Sequence, residues 1–269
     1  MATASSEEIV ERLVQTRKYR HICKDTLERI ARWSVDRYET SGQALKASKR
    51  KLHQVHGAYF DRVDFDKIND AVATLPAIPA EDLLRSTCSG ILESHQSTAE
   101  RMGFLAEFYP PIFDIVGQPT SILDLACGLN PFALPWMTLQ QDVRYRAFDI
   151  DVRLIDTING FFARLDRPPP AECLDVLGLL PDMDADLVLL LKSVPCLEQQ
   201  EKGACERLLR ELRYRYAAVS FPVETLSGRR KGMRGYYERF LNGVIGQLGL
   251  TAETLDFPTE TVYVVRRDD

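Results

Sequence analysis

The chain has 269 residues, of which 45% are apolar and 27% charged, and its formal net charge is −5. This composition is typical of a folded globular protein and excludes a disordered, collagen-like or coiled-coil chain. No apolar run approaches the roughly 20 residues that a membrane helix needs, and the acidic N-terminus lacks a signal segment, so we expect a cytoplasmic protein with no membrane partner. The six cysteines form no CxxC pair. They are therefore expected to be reduced thiols, and no metal site is predicted.

The charge is unevenly divided along the chain. Residues 1–60 contain 12 Lys and Arg against 7 Asp and Glu, whereas the remainder carries a net charge of −10. A basic segment joined to an acidic one suggests a polyanionic partner at the N-terminal end. Solvated helix faces without a partner would give the same bias.

The N-terminal part of the chain is predicted to be helical. Ser6 is a candidate cap of the first helix, Asp25 with Glu28 resembles a capping box for the second, and Ser41 opens a third. In each helix, apolar residues recur on one face. Further helices are expected at 64–74, 81–93 and 98–109.

From Thr120 onward, strands alternate with helices. Three near-continuous apolar runs are typical of buried parallel strands: SILDLA, VRYRAFDI and DLVLLL. A weaker strand is predicted at 171–175, another at 217–221, and a terminal hairpin turns at Pro258 and Thr259. Helices are expected at 131–139, 151–165, 197–214 and 231–248. The order, a helical module followed by βαβαβαβαβ and a β-hairpin, predicts an α/β protein with a doubly wound parallel sheet.

Acidic residues and a glycine follow the predicted strands. Asp124 ends the first strand and Gly128 lies in the loop behind it, where the backbone can approach a ligand closely. Asp149 ends the second strand, where a carboxylate typically binds a ribose, and Asp175 can accept a bond from an adenine amino group. A single loop glycine does not make a dinucleotide fingerprint. The spacing of Asp124, Gly128 and Asp149 resembles class I S-adenosylmethionine-dependent methyltransferases, although an ordinary strand–turn–helix junction with acidic caps would look similar.

Six segments carry a closer resemblance. They are KRKLHQVHGAYF (49–60), HQSTAERM (95–102), ILDLACGLNPFALPWM (122–137), FDIDVRLI (148–155), LLLKSVPCLE (189–198) and SFPVETLSGRRKGM (220–233). In order and spacing they are similar to the aminoglycoside-resistance 16S rRNA guanine-N7 methyltransferases, over most of the chain. The resemblance implies a Rossmann-like class I methyltransferase domain at 96–269 and, at 1–95, a helical module that docks on 16S rRNA in the 30S subunit.

The resemblance also implies a set of cofactor-binding residues for S-adenosylmethionine. They are Arg101, Asp124, Ala126, Gly128, Asp149, Asp175, Val176 and Lys192. Arg101 corresponds to the second arginine of the family's STRER segment, which binds the cofactor carboxylate with its planar fork. The first arginine of that segment is Ala99 here, which puts the role of that side chain in doubt.

The loop after DLVLLL bears on the chemistry. It lacks the Asn/Asp-Pro-Pro-aromatic sequence that methyltransferases use when the target is an exocyclic amine. Guanine N7 has a lone pair and no proton to lose, so no general base is expected. Lys192, Pro195 and Glu198 are predicted to position the reactants. Cys196, after a proline, leaves open a cytosine-C5 enzyme with a covalent thiolate. Its surroundings, KSVPCLE, match the N7 family better, and they favour a small buried side chain that shapes the pocket. Cys127 is a weaker candidate nucleophile or ligand.

Two basic clusters are candidate RNA contacts. The first comprises Arg17, Lys18, Arg20, Lys46, Lys49, Arg50 and Lys51, and the second Arg229, Arg230, Lys231 and Arg234. The target guanine is expected to flip out of the RNA stack and into the pocket. Candidate stacking partners are Phe132, Trp136, Phe221 and Tyr236. The histidines of these segments (His53, His56 and His95) are not predicted to be catalytic.

The leading hypothesis is an enzyme that methylates N7 of the decoding-site guanine in assembled 30S subunits, as a monomer, and confers aminoglycoside resistance. One alternative is a methyltransferase of the same fold with another rRNA base or a small molecule as its target; the basic N-terminal segment argues against a small molecule. Another is a ribosome-binding protein without activity, against which the intact Asp124, Gly128, Asp149 and Arg101 argue.

Overall fold

The computed structural model describes residues 5–57, 60, 63–140, 142–223 and 233–267. Its N-terminal helices are α1 (Ser6–Val14), α2 (Lys24–Val35) and α3 (Ser41–Leu52), and α3 runs into a π-helical turn, His53–Gly57. Their apolar faces meet in one cluster because the buried residues recur at helical spacing, as with Ile9 and Leu13 of α1. None of the helices in these ranges is both long and apolar enough to cross a membrane.

The helix starts differ from the predicted caps. Ser6 is the first helical residue of α1 rather than its cap. Ser41 opens α3 as predicted, and the cap before it is Thr40, whose side chain accepts a bond from the Gln43 amide at 3.3 Å. The predicted Asp25–Glu28 capping box does not form. Cys23 precedes α2 and makes no side-chain capping bond.

A second group of helices leads to the sheet. It comprises α4 (Phe65–Ala73), α5 (Glu81–Leu92), α6 (Gln96–Ala99), a 3₁₀ turn (Met102–Phe104), α7 (Leu105–Phe108) and α8 (Pro110–Val116). The single helix predicted at 98–109 is therefore wrong. The Thr98 hydroxyl donates to the Leu92 and His95 carbonyls, and the backbone leaves the helical region at Phe104, where φ is −142° and ψ is 18°. Pro110, which needs no amide partner at a helix start, opens α8.

The sheet has seven strands in the order β3-β2-β1-β4-β5-β7-β6. They are β1 (Ser121–Leu125), β2 (Arg144–Asp149), β3 (Ala171–Cys173), β4 (Asp184–Leu191), β5 (Arg213–Pro222), β6 (Thr251–Asp256) and β7 (Glu260–Arg266). The first five are parallel, and β7 runs antiparallel between β5 and β6. Every predicted strand and the terminal hairpin are confirmed.

The sheet helices are α9 (Leu134–Met137, after a 3₁₀ turn at Asn130–Ala133), α10 (Val152–Arg164), α11 (Val194–Gln200), α12 (Ala204–Glu211) and α13 (Met233–Leu248). The helix predicted at 197–214 is two helices, which separate at Gly203 with φ +84°. Residues 174–183, all described, contain no helix, so the predicted alternation fails between β3 and β4.

Apolar side chains pack on both faces of the sheet. Ile122 and Leu123 of β1 enter different clusters, as the alternation of side chains along a strand requires. The doubly wound arrangement is thus confirmed. Phe65 and Ile68 of α4 belong to the same cluster as Ile122, whereas the N-terminal cluster ends at Val55. The boundary predicted at residue 95 therefore does not separate two apolar cores, because α4 and α5, which precede it, pack with the sheet.

Candidate active site

A cavity of about 490 Å³ lies at the carboxyl ends of β1, β2 and β4, within the range typical of ligand sites. The strand order reverses at this point, because β2 and β4 flank β1 on opposite sides. Ligands of open α/β sheets bind at such a switch point. The predicted site residues that line the cavity are Arg101, Ala126, Gly128, Asp149, Asp175, Val176, Lys192 and Pro195.

The loop after β1 presents its backbone to the cavity. Ala126 and Gly128 have φ of +49° and +52°, in the left-handed region that favours glycine. The Cys127 amide donates to the Phe148 carbonyl at 3.0 Å, which ties the loop to the end of β2. Cys127 itself is buried, and burial raises the pKa of its thiol. It is therefore poorly suited to act as a nucleophile.

Asp149 is the carboxylate at the end of β2. One of its oxygens accepts the Gly128 amide at 2.9 Å and the other the Ile150 amide at 2.7 Å. Burial raises the pKa of Asp149, while these two amides lower it. A carboxylate has about four acceptor positions. The two amides fix its orientation and leave acceptor capacity for a pair of hydroxyls.

Asp124 lies behind the cavity rather than on its wall, which corrects its predicted place among the ligand-contacting residues. Its Oδ2 accepts bonds from the Asn130 side-chain amide at 2.7 Å and from the Tyr145 hydroxyl. Burial raises the pKa of Asp124 to about 7, although those two hydrogen bonds lower it. Asn130 does line the cavity. Asp124 therefore orients Asn130.

Arg101 is paired with Glu260, the first residue of β7. The guanidinium Nε and Nη2 donate to the two carboxylate oxygens, Nη2 at 2.9 Å, and Nη1 donates to Asn130 Oδ1 at 3.3 Å. Burial alone would lower the pKa of Arg101, but the charge and hydrogen bonds of Glu260 outweigh it and raise that pKa. Arg101 therefore stays charged at the cavity wall.

Lys192 follows β4 with φ +55°, and its amide donates to the Ser220 hydroxyl at 2.9 Å. This backbone turn places its side chain across the cavity. Lys192 Nζ donates to Glu100 Oε2 at 2.7 Å and to the Ser97 carbonyl at 3.3 Å, and it lies 3.7 Å from Glu260 Oε1. Two cations and two carboxylates thus meet at this end of the cavity.

Glu198 is not brought to the cavity, which corrects its predicted positioning role. Its carboxylate accepts the Gly203 amide at 3.0 Å and the Cys205 amide at 2.8 Å, at the start of α12. A carboxylate at that place satisfies orphan amides of the first helical turn. Cys196, two residues earlier, does line the cavity and is half-buried.

The sequence analysis missed several polar residues of the cavity wall, among them Arg29, Glu100, Asn130, Ser193 and Gln200. Asn130 and Ser193 lie in segments that carry the family resemblance, beside predicted site residues. That position is the signal by which the sequence could have identified them. Arg29 and the buried Glu260 carried no local signal, since their partners Asp175 and Arg101 are distant in sequence.

The first basic cluster divides in the structure. Arg17, Lys18, Arg20, Lys46 and Arg50 are exposed and Lys49 is half-buried. Lys51 points inward, which corrects its place among the RNA contacts: Nζ donates to the Gln200 carbonyl at 3.0 Å and lies 4.3 Å from the Trp33 ring centroid. In the second cluster, Arg229, Arg230 and Lys231 lie outside the described residues, and Arg234 pairs with Asp256.

The candidate stacking aromatics differ in exposure. Phe132 and Phe221 are buried in the core, and Trp136 is half-buried beside Arg85. Tyr236 is 57% exposed, and its ring lies 5.3 Å from that of Tyr237, which lines the cavity. Of the four candidates, only Tyr236 is both exposed and in contact with a residue that lines the cavity.

The donor set fits a charged, nucleoside-containing methyl donor. Arg101 and Lys192 with their carboxylates suit an amino acid group at one end, and Asp149 suits a ribose in the middle. Ser193 Oγ lines the cavity and is buried with no hydrogen-bond partner among the described residues, which leaves a polar atom for a ligand. Within the same residues, no group of three or more His, Cys, Asp or Glu is placed to hold a metal ion.

Residues 15–264 match the family described as ribosomal RNA methyltransferase (FmrO). The chain is 31% identical over 274 residues to the 16S rRNA (guanine(1405)-N(7))-methyltransferase of Micromonospora echinospora, covering 99% of this chain and 100% of that one. It is 32% identical over 274 residues to the enzyme of the same name from Proteus mirabilis, covering 97% of each.

Two solved structures are similar along nearly the whole chain. The 16S rRNA methyltransferase RmtF in complex with S-adenosyl-L-homocysteine has a TM-score of 0.84 and 28% identity, with 98% of each chain covered. The 16S rRNA methylase RmtB has a TM-score of 0.82 and 27% identity, covering 99% of this chain and 100% of that one. The similarity includes the N-terminal helices as well as the sheet.

Proposed function

The chain belongs to the FmrO family of ribosomal RNA methyltransferases, and from this we propose that it transfers a methyl group from S-adenosylmethionine to N7 of guanine 1405 in 16S rRNA. The observation that carries the proposal is the cavity at the β1–β4 switch point, in a chain similar over its full length to enzymes of that name.

Residues from four segments would hold the cofactor. Arg101 and Lys192 would receive its carboxylate, and their partners Glu260 and Glu100 balance the charge. Asp149 would accept bonds from the ribose hydroxyls. At the far end, Asp175 would accept from the adenine amino group, beside the apolar wall of Leu174 and Val176. When bound, the cofactor supplies an electrophilic methyl group on a sulfonium.

Transfer to N7 needs alignment more than proton chemistry. Guanine N7 carries an in-plane lone pair and no proton, so no side chain has to act as a base. His95, on the cavity wall, is neutral at pH 7 because burial lowers its pKa to about 4. The chain therefore has to orient the reactants and exclude water.

The exposed basic residues of the N-terminal helices are suited to RNA docking. Lys46 and Arg50 of α3 face solvent, as do Arg17, Lys18 and Arg20 between α1 and α2. Phosphate contacts of this kind set the position of an enzyme without reading sequence, and rRNA helices are recognised largely by shape. The partner is the assembled 30S subunit, bound by a cytoplasmic monomer, and methylation at this base confers aminoglycoside resistance.

A transfer assay with labelled S-adenosylmethionine tests the substrate. Purified 30S subunits, protein-free 16S rRNA and 50S subunits are compared as acceptors, and we expect label in 30S subunits alone. Label in 50S subunits contradicts the proposed target. If no acceptor is labelled although the protein binds S-adenosylhomocysteine, the chain is a ribosome-binding protein without this activity.

The variant Asp149→Asn tests the site in the same assay. Loss of the charged acceptor is expected to weaken S-adenosylhomocysteine binding about tenfold or more, since hydrogen bonds to charged groups are the stronger ones. Asp142→Asn, an exposed aspartate before β2, is the matched control and should bind as the wild type does.

A further inference from the structure

Arg29 of α2 reaches from the N-terminal helices to the far end of the cofactor cavity. Its Nε donates to Asp175 Oδ2 at 2.8 Å, and its Nη2 donates to Gln200 Oε1 at 2.8 Å. The side chains of Arg29 and Asp175 are 20% and 4% exposed. One guanidinium thus joins α2, the segment after β3 and the end of α11.

Further contacts hold α2 and the π-helical turn against the same wall. The Cys23 amide donates to the Ile150 carbonyl at 2.8 Å, and the Val152 amide donates to the His21 carbonyl at 2.8 Å. His56 Nε2 bonds Asp151 Oδ2 at 2.7 Å, where both side chains are buried. Ile150 therefore belongs to the cavity wall and also packs against the N-terminal apolar cluster.

The carboxylate of Asp175 depends on Arg29 for its counterion. Its Oδ1 accepts the Leu177 amide at 3.1 Å, while Oδ2 is held by the guanidinium. A buried carboxylate that loses its charged partner is strongly disfavoured and turns toward other donors or water. Two acceptor positions remain on the held carboxylate, and the cavity is the side on which a ligand can use them.

We propose that Arg29 is a positioning residue of the cofactor site: by holding Asp175, it sets how tightly the cavity binds the adenine end of the cofactor. In this way α2, one of the N-terminal helices proposed to dock on RNA, completes the pocket. The inference rests on the proposed function for the identity of the ligand. Gln200, which Lys51 also contacts through its carbonyl, fixes the other edge of the Arg29 guanidinium.

Calorimetric titration with S-adenosylhomocysteine tests the proposal without an activity readout. Arg29→Ala is expected to weaken binding at least about tenfold, because truncating one member of a buried charge pair leaves the other unpaired. Arg29→Lys, which keeps a charge near Asp175, should recover part of the affinity. Arg32→Ala is the matched control, since this exposed arginine of the same helix donates to the Glu28 carbonyl of α2 and does not line the cavity.

A double-mutant cycle separates positioning from a general structural role. In an Asp175→Asn background, Arg29→Ala is expected to change the affinity by less than about twofold, because the group through which it acts has lost its charge. Equal losses in both backgrounds, or wild-type affinity in Arg29→Ala, overturn the proposal. Urea unfolding of each variant checks that the titrated protein is folded, and Arg29→Lys carries the test if Arg29→Ala is not.

The two proposals fail in different measurements. Wild-type protein that binds S-adenosylhomocysteine but transfers no methyl group to 16S rRNA contradicts the proposed function, and the Arg29 assignment is then decided by the titrations alone. Wild-type methylation of 30S subunits with unchanged binding by Arg29→Ala contradicts only the assignment of Arg29.

Discussion

Arg101 and Glu260 form an ion pair that is almost completely shielded from water, with side-chain exposures of 3% and 0%. The two residues are 159 positions apart, and their contact joins the segment before β1 to the start of β7. Lys192 lies 3.7 Å from the same carboxylate. The cation proposed to bind the cofactor is therefore also part of the folded core.

Replacing Arg101 or Glu260 by leucine separates these two roles. Each single change leaves a buried charge without its partner and should lower the free energy of unfolding by about 3 kcal/mol or more. The double replacement should recover much of that loss, because an apolar pair of similar volume removes both charges. Urea unfolding measures these differences.

Cofactor affinity is expected to behave differently from stability in those variants. Binding of S-adenosylhomocysteine should remain weak in the double variant, since the cation that meets the carboxylate is gone. If the double variant binds as tightly as the wild type, Arg101 serves the fold alone and its assignment to the cofactor is wrong.

The raised pKa of Asp124 predicts a pH dependence of stability. Burial raises this pKa from an ordinary 3.8 to about 7, so the folded protein holds a proton that the unfolded chain releases near pH 4. Stability contributed by the protonated carboxyl is present below pH 4 and is lost as the pH rises to 7. Asp124→Asn lacks this titration.

The measurement is the difference in unfolding free energy between wild type and Asp124→Asn at several pH values. The wild type should lose up to about 4 kcal/mol relative to the variant between pH 4 and pH 8, since one pKa unit corresponds to about 1.4 kcal/mol. Asp114→Asn, at an exposed aspartate of α8, is the control. If the stability of the wild type relative to Asp124→Asn stays constant or rises with pH, Asp124 is not protonated in the folded protein and the prediction is wrong.

Cys196→Ser distinguishes N7 methylation from a covalent mechanism. Cys196 lines the cavity, and its Sγ lies 3.7 Å from the Val55 carbonyl oxygen. Because N7 attacks the methyl group directly, we expect the variant to methylate 30S subunits within about threefold of the wild-type rate, a loss of under 1 kcal/mol. Loss of activity with intact S-adenosylhomocysteine binding indicates a thiolate nucleophile and a cytosine target.

Lys46→Ala/Arg50→Ala tests the docking face. Both side chains point to solvent on α3, and removal of two phosphate contacts should weaken 30S binding and reduce the slope of log K against log salt by up to about 2. Lys202→Ala, an exposed lysine before α12, is the control. Unchanged affinity and slope place the RNA on another surface.

Lys51→Ala, in contrast, should lower the free energy of unfolding, because Lys51 is bonded to Gln200.

The sequence predicted the features that depend on neighbouring residues. Buried parallel strands are apolar runs, so β1, β2 and β4 were recognisable, and the residues that follow them reach the same edge of the sheet. Asp149, Gly128 and Lys192 could be placed at the cavity for this reason.

Features that depend on distant partners could not be predicted from local patterns. Nothing near Arg29 indicates that it meets Asp175, 146 positions away, and Glu260 looks like an ordinary strand residue. Glu198 shows the converse. It lies in a motif of the family pattern, but its carboxylate accepts the amides of Gly203 and Cys205, which become available only because a new helix, α12, begins after Gly203. Which helices share a core with the sheet is likewise decided by packing.

Mapping the methylated atom tests the central claim most directly. 16S rRNA from 30S subunits treated with the protein and S-adenosylmethionine is reduced with borohydride and cleaved with aniline, which cuts the chain at N7-methylguanine. The account predicts a single enzyme-dependent cut, at guanine 1405 in the decoding-site helix. Methyl transfer to the 30S subunit without that cut, or with a cut at another guanine, would contradict it.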